Sequence, residues 1–545
     1  MNELSTLFMN VSDGETVTLE EGKVYHVRPE DSFTLEGYFC SNTAKKHENP
    51  DGTRHTAVFL KDKKNITVDG NSATVVVHGK MTPVMLDRCE NINIKNLIID
   101  YARPTMTEFR VLSNRDGICD LRFNADCLFR VEGNEIFFCG DADENGIPYW
   151  EIRPNVQGSY VKVHNPETAF SRDFNRDDLS FEDIRQLDER TVRVTLKNKD
   201  ADFVEGHIFQ IRSIVRDQTG SFFERCRNLH LENLRMKFMH GLGIVSQYCE
   251  NVTFLNCDFT PAEGRTIAST ADFFQFSGCR GKLLIDSCKA EGAHDDYINV
   301  HGTHLRIIGA DREERSITVR FMHPETWGFQ AYEKGDELEF IKWDTLIPYA
   351  ETRVVSYEKL NDTDIKLVID RELPEIEVGR DVVENVTWTP SLTVRNCDFG
   401  QTAGRGILCT TRGEVIIENN RFVKLWGPAL LLEDDCNFWF ESGYTRSVTF
   451  RNNLVESCEY AEMWEGSPSI RCTPKVMDEN SDAPVHERIV IENNVFRSAK
   501  QKKHLLWLEY VGEVILRNNL FDAQYDIHTH NVGKITEESN LCEMR

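Results

Sequence analysis

At 545 residues the chain exceeds one ordinary globular domain, although a solenoid, which grows along one dimension, escapes that limit. A net charge of −26 and a pI near 5.1 argue against a nucleic acid or an anionic membrane as partner, because both demand a concentrated positive surface. Sixteen cysteines are too sparse for a disulfide scaffold; Cys257, Cys279, Cys288 and Cys397 recur at repeat positions, where reduced, buried side chains would point into a coil. Met1 to Asn10 lacks the basic start and apolar run of a signal peptide, and no segment is long enough to span a bilayer. The chain therefore reads as cytoplasmic as written, and as exported if a leader has been trimmed.

In chain order, residues 1–102 contain a short strand that ends in Asn and resumes with an apolar residue, as in Asn91-Ile92-Asn93-Ile94-Lys95-Asn96-Leu97. Residues 103–222 lack that unit and carry alternating strands such as Thr191-Val192-Arg193-Val194-Thr195-Leu196. The unit returns over 223–302, where Asn228 and Asn251 lie 23 residues apart, and is lost again over 303–390, where Ser316–Phe321 and Glu337–Ile341 read as antiparallel strands. It closes the chain over 391–545, with Leu392 and Val415 again 23 apart. Each unit alternates apolar and polar residues and is rich in Val, Ile, Thr and Phe, which excludes the helical repeat families. The recurring Asn suits a left-handed bend, and equivalent Asn side chains can stack as ladders. The fold expected is all-β: a right-handed parallel β-helix (a solenoid) with two inserted antiparallel, barrel-like β domains. The second insertion starts directly after His301-Gly302 and is placed to wall a site.

That site is marked by Asp295-Asp296, with Asp272 one repeat (23 residues) earlier. Residues one coil apart stack about 4.8 Å from one another, so three carboxylates distant in sequence can converge, given a bend at Gly292-Ala293 that turns both Asp295 and Asp296 to one side. Mutual repulsion would raise at least one pKa, leaving a protonated acid beside ionised neighbours, as glycoside cleavage requires. A Ca²⁺ site is the competing use of the same side chains. Asp434-Asp435 has no such partner one coil earlier and reads as a turn cap beside a solvated residue. His294, His301 and His304 lack metal-site spacing; His301 is taken as a hydrogen-bonding neighbour of the acids that contacts substrate. Downstream coils place Arg405 and Glu433 nearest, with Met463-Trp464-Glu465 and Trp507-Leu508-Glu509 at corresponding positions that would extend a groove.

Three segments, Asn96-Leu97-Ile98-Ile99-Asp100-Tyr101, Ala271-Asp272-Phe273-Phe274-Gln275-Phe276-Ser277-Gly278-Cys279 and His294-Asp295-Asp296-Tyr297-Ile298-Asn299-Val300-His301-Gly302, resemble glycoside hydrolase family 110, the exo-acting α-1,3-galactosidases built on a parallel β-helix with inserted β-barrels. The resemblance implies release of terminal α-linked galactose from an oligosaccharide or glycoconjugate, inversion of configuration, no metal or other cofactor, Asp295 as general acid, and Asp272 and Asp296 as base positions. A more distant similarity to polygalacturonases lacks their Gly-His-Gly and Arg-Ile-Lys elements, and a non-catalytic or calcium-dependent carbohydrate-binding helix is the third reading. A homo-oligomer is left open. Spacing bears on stereochemistry: carboxyls splayed to roughly 6.5–9.5 Å admit water and inversion, whereas a tight stack of Asp272 and Asp295 permits retention.

Overall fold

A computed structural model of the chain describes residues 1–156, 158–461, 467–498, 504–522 and 526–542. The backbone winds as a parallel β-helix whose coils each contribute three short strands. One coil comprises Glu250–Leu255, Asp258–Phe259 and Phe274–Ser277; the next comprises Arg280–Asp286, Lys289–Ala290 and Ile298–Thr303. Register carries from coil to coil, with one bulge where Glu250–Leu255 meets Arg280–Asp286. Ile92, Leu229, Val252, Leu283, Leu392, Val415, Val448, Ile489 and Val514 pair in turn along one face, and each is 2% exposed or less. The period-two alternation read from sequence is this column of inward aliphatic side chains alternating with outward polar ones.

Asparagine sets the bends. Asn65, Asn91, Asn228 and Asn251 all adopt φ between 56° and 58°, a left-handed conformation that Asn tolerates. Their amides form a ladder with Nδ2–Oδ1 distances of 2.8–2.9 Å. At the other end of the same strand a second left-handed set, including Asn256, Asn396, Asn419, Asn452, Asn493 and Asn518, turns the chain again, and one position inward of that set the side chain changes along the helix: Cys257, Cys288 and Cys397 fill the position before Asn420, Asn453, Asn494 and Asn519 take it over. The interior asparagines bond to one another at 3.0–3.2 Å, and each also donates to a main-chain carbonyl. The cysteines are free thiols.

Both insertions leave and rejoin the helix on paired strands. The first is a seven-stranded antiparallel sheet with a three-stranded sheet beside it; its opening strand Met106–Arg115 pairs with its closing strand Ile208–Ser213. It is an open sheet, not a barrel, because its edge strands Phe170–Asp173 and Phe181–Gln186 are not paired with each other. The second insertion is a closed six-stranded barrel in which Leu305–Asp311, the first strand, pairs with Val382–Asn385, the last. No helix of the described residues is long and apolar enough to cross a membrane.

The interior Asn ladder generates a stability prediction. Asn453 accepts from the Asn420 main-chain N–H and side-chain amide and donates to the Ile417 carbonyl. Asn453→Ala is expected to destabilise by about 2–4 kcal/mol, since it strands buried partners, whereas Asn453→Cys, the side chain used one position inward in earlier coils, is expected to lose less. Urea unfolding of the three proteins checks the order.

Candidate active site

The acidic cluster is a product of register. Phe274, Ile298 and Ile407 pair in succession on one face of the helix, and the residues two positions before them are Asp272, Asp296 and Arg405. These three therefore occupy one column at a corner of successive coils, with Leu242, two before Ile244, in the coil preceding. The stacking partner of Asp272 is accordingly Asp296, 24 residues on, and not Asp295 as a strict 23-residue step would have it; this coil carries one extra residue. Asp295 reaches the same patch from the adjoining bend. That bend packs tightly on the next coil: a Cβ at Gly404 would lie 1.9 Å from the Asp295 carbonyl oxygen, and one at Gly243 would lie 2.1 Å from that of Asp272. Only glycine admits so close a backbone approach.

One carboxylate oxygen from each of Asp272, Asp295 and Asp296 lies within 4.8 Å of the other two. By their nearest oxygens they form a cluster that is the tighter of the two arrangements the spacing allows. Arg405 holds it together, donating from Nε and Nη2 to the two oxygens of Asp296 at 2.5 and 2.8 Å and from Nη2 to Asp295 at 3.3 Å. The Asp296 main-chain N–H donates to Asp272 Oδ1 at 3.2 Å. Asp272 and Asp296 are buried, while the Asp295 side chain is 36% exposed and faces the pocket. Burial, reinforced by the charges of Asp295 and Asp296, pushes the Asp272 carboxyl well above the usual range. Burial also pushes Asp296 up to about 7, against the opposing pull of Arg405. The cluster thus retains a proton near neutral pH.

The pocket above these acids is walled by segments far apart in sequence: Asn42 from the loop between the strands Phe33–Leu35 and Arg54–Thr56, Arg216 at the exit of the first insertion, and Asp435, Phe438, Trp439 and Glu441 from one later loop. Gln275 and Asn299, paired on the strands that follow the acids, form its floor. Gln275 Oε1 and Asn299 Oδ1 are buried acceptors without a hydrogen-bond partner. The barrel stands behind this lining. Its Glu325 holds Arg216 at 2.5 Å, its Thr326 donates to Asn42 Oδ1 at 2.6 Å, and its His323 ring stacks on Trp439 at 4.2 Å.

Arg405 and Glu433 both line the pocket, Glu433 paired with Lys475. His301 does not bond to the acids: two residues farther along the strand than Asn299, its ring meets Gln275 at 3.0 Å and its own Gly302 carbonyl at 2.7 Å. That offset of about 7 Å along a strand puts it behind Gln275, which it orients. His294 and His304 diverge, the first toward Gln210 and the second onto Asp434. Asp434 and Asp435 are both buried, which corrects the expectation of a solvated residue; Asp435 accepts main-chain N–H groups from Asn437, Phe438, Trp439 and Phe440. Trp507 stacks on His528 at 3.6 Å and does not line the pocket, and Met463-Trp464-Glu465 lies outside the described residues. Asn42, Arg216 and Glu441 carried no signal in the sequence, since each depends on a loop folding across the helix.

Residues 316–383 match the model of the GLAA-B β-barrel domain II. Over 518 residues the chain is 35% identical to α-1,3-galactosidase A of Bacteroides fragilis, covering 93% of this chain and 81% of that protein. It is 34% identical over 502 residues to α-1,3-galactosidase A of Akkermansia muciniphila, covering 91% and 78%. It is 30% identical over 450 residues to α-1,3-galactosidase B of Bacteroides thetaiotaomicron, covering 81% and 71%. With that coverage, spanning helix and insertions alike, the chain belongs to the α-1,3-galactosidase family of glycoside hydrolases.

Proposed function

We propose that the protein releases terminal α-1,3-linked galactose from an oligosaccharide or glycoconjugate by direct, inverting hydrolysis. The observation that carries this reading is the convergence of three carboxylates from two consecutive coils beneath a pocket walled on several sides, a shape that admits a chain end. Gln275 and Asn299 line the floor on which the galactose would sit. Asp295, the carboxyl open to the pocket, passes the cluster's proton to the glycosidic oxygen as the bond to the anomeric carbon breaks. A water attacks that carbon and gives its proton to Asp296, with Asp272 beside it.

Spacing within 4.8 Å would by itself suit a covalent intermediate. Inversion is read from the resemblance to inverting enzymes; Asp296, with both oxygens clamped by Arg405, keeps a lone pair on each with which to take the proton of the attacking water. A pectin-type substrate fits less well, because the cations lining the pocket are already matched: Arg405 by Asp296, Arg216 by Glu325 and Lys475 by Glu433. The same occupancy disfavours calcium, since Asp296 has no oxygen free of the guanidinium.

Asp295→Asn, Asp296→Asn and Asp272→Asn are each expected to lower kcat for an α-1,3-galactoside by roughly a hundredfold or more with little change in melting; near-wild-type turnover in all three would remove the mechanism. Proton NMR of the first products is expected to show β-galactose, and early α-galactose would establish retention instead. The pH profile follows from Asp296. Below about 7 it is protonated and cannot accept a proton from water, so kcat/KM is expected to rise with pH through that value and fall once the cluster's last proton is lost. Glu441→Gln removes a charge that raises Asp296 and is expected to move the rising limb to lower pH.

A further inference from the structure

The mouth of the pocket carries a feature that the chemistry at its floor does not use. Phe438 and Trp439 line the pocket yet are 56% and 46% exposed, whereas Gln275 and Asn299 at its floor are 5% exposed or less. Two adjacent exposed aromatics at the rim of a pocket make an apolar patch of the kind that marks a ligand contact. These two are not loosely placed. The carboxylate of Asp435 gathers the main-chain N–H groups of residues 437–440 into a tight turn, and Trp439 is backed by the His323 ring of the barrel at 4.2 Å and an interplanar angle of 28°. One face of the indole is thus occupied by a ring from another domain, and the turn that carries it is held by a buried charge.

We propose that Phe438 and Trp439 form a platform for the sugar on the leaving-group side of the scissile bond, with Asp435 and His323 as positioning residues. This rests on the exo-galactosidase reading above. If the terminal galactose occupies the base, over the three carboxylates, the unit bonded through the glycosidic oxygen lies at the exposed rim. A pyranose ring offers there the flat array of C–H groups that an aromatic face attracts. The enzyme then recognises one sugar beyond the bond it cleaves, and binding on that side is turned toward rate at the anomeric carbon.

The test compares two donors of galactose: an α-1,3-linked galactosyl disaccharide, which has a leaving-group sugar, and α-galactosyl fluoride, which has none. Trp439→Ala and Phe438→Ala are expected to lose kcat/KM on the disaccharide by about tenfold more than on the fluoride. Trp439→Phe should restore most of the difference, and His323→Ala should show a weaker loss of the same kind. Equal losses on both donors would overturn the proposal and assign the aromatics to the galactose itself. Failure of the wild type to cleave either donor would instead overturn the exo-galactosidase reading, so the two fail in different ways.

Discussion

Everything in this molecule depends on the lateral register of one coil upon the next. In a parallel helix each strand has neighbours above and below, so a one-residue slip would turn a column of aliphatic side chains outward and the polar set inward. Left-handed asparagines oppose that by marking where coils turn, with an amide ladder tying the marks from Asn65 to Asn251, and from there the strand pairing of Phe274, Ile298 and Ile407 carries the register onward. Because register is set in this way, Asp272, Asp296 and Arg405 share a column although 109 residues and a whole barrel separate the last two.

The same stacking explains how the cluster endures its own repulsion. Three carboxylates withdrawn from water would be strongly unfavourable unless matched, and the coil above supplies a guanidinium at the corresponding position. Arg405 neutralises the column but reaches Asp295 at 3.3 Å with a single nitrogen, so charge is compensated unevenly. Asp296 is clamped and Asp295 is left comparatively open. That inequality distinguishes three side chains of identical chemistry.

Much of this was legible in the residues. The Asn-punctuated strands, their alternation and the two stretches that lack them disclosed the helix and its interruptions, and the three aspartates could be paired by counting. Counting also misled by one residue: the step of 23 points to Asp295, whereas the coil holds 24 and Asp296 is the stacked partner. The extra residue sits in a bulge at Arg280–Leu283, where Gly281 takes φ 71°, and counting repeats does not register it. Of the Asp434-Asp435 reading the turn cap is present, in Asp435, and only the solvated residue is not, because His304, which Asp434 meets, arrives from a segment whose path no periodic pattern records. Glu433, on a regular coil, was found for the opposite reason, and Asn42 and Arg216 were missed because they arrive at the pocket from irregular segments.

The pairing of first and last strands in each insertion has a consequence for how such a protein is assembled and varied. Leu305 lies opposite Val383 in the barrel and Met106 opposite Arg212 in the sheet, so each inserted domain brings its own ends together. The helix is then spared the entropy of closing a loop of some eighty or a hundred residues, and its coils join across the gap as if the interruption were a short turn. Domains attached in this manner are separable from the floor. A lineage could lengthen, exchange or reshape either one while the column of Asp272, Asp296 and Arg405 stays in place, so that ancestry would be read most clearly in the coils and diversification in the domains that hang from them.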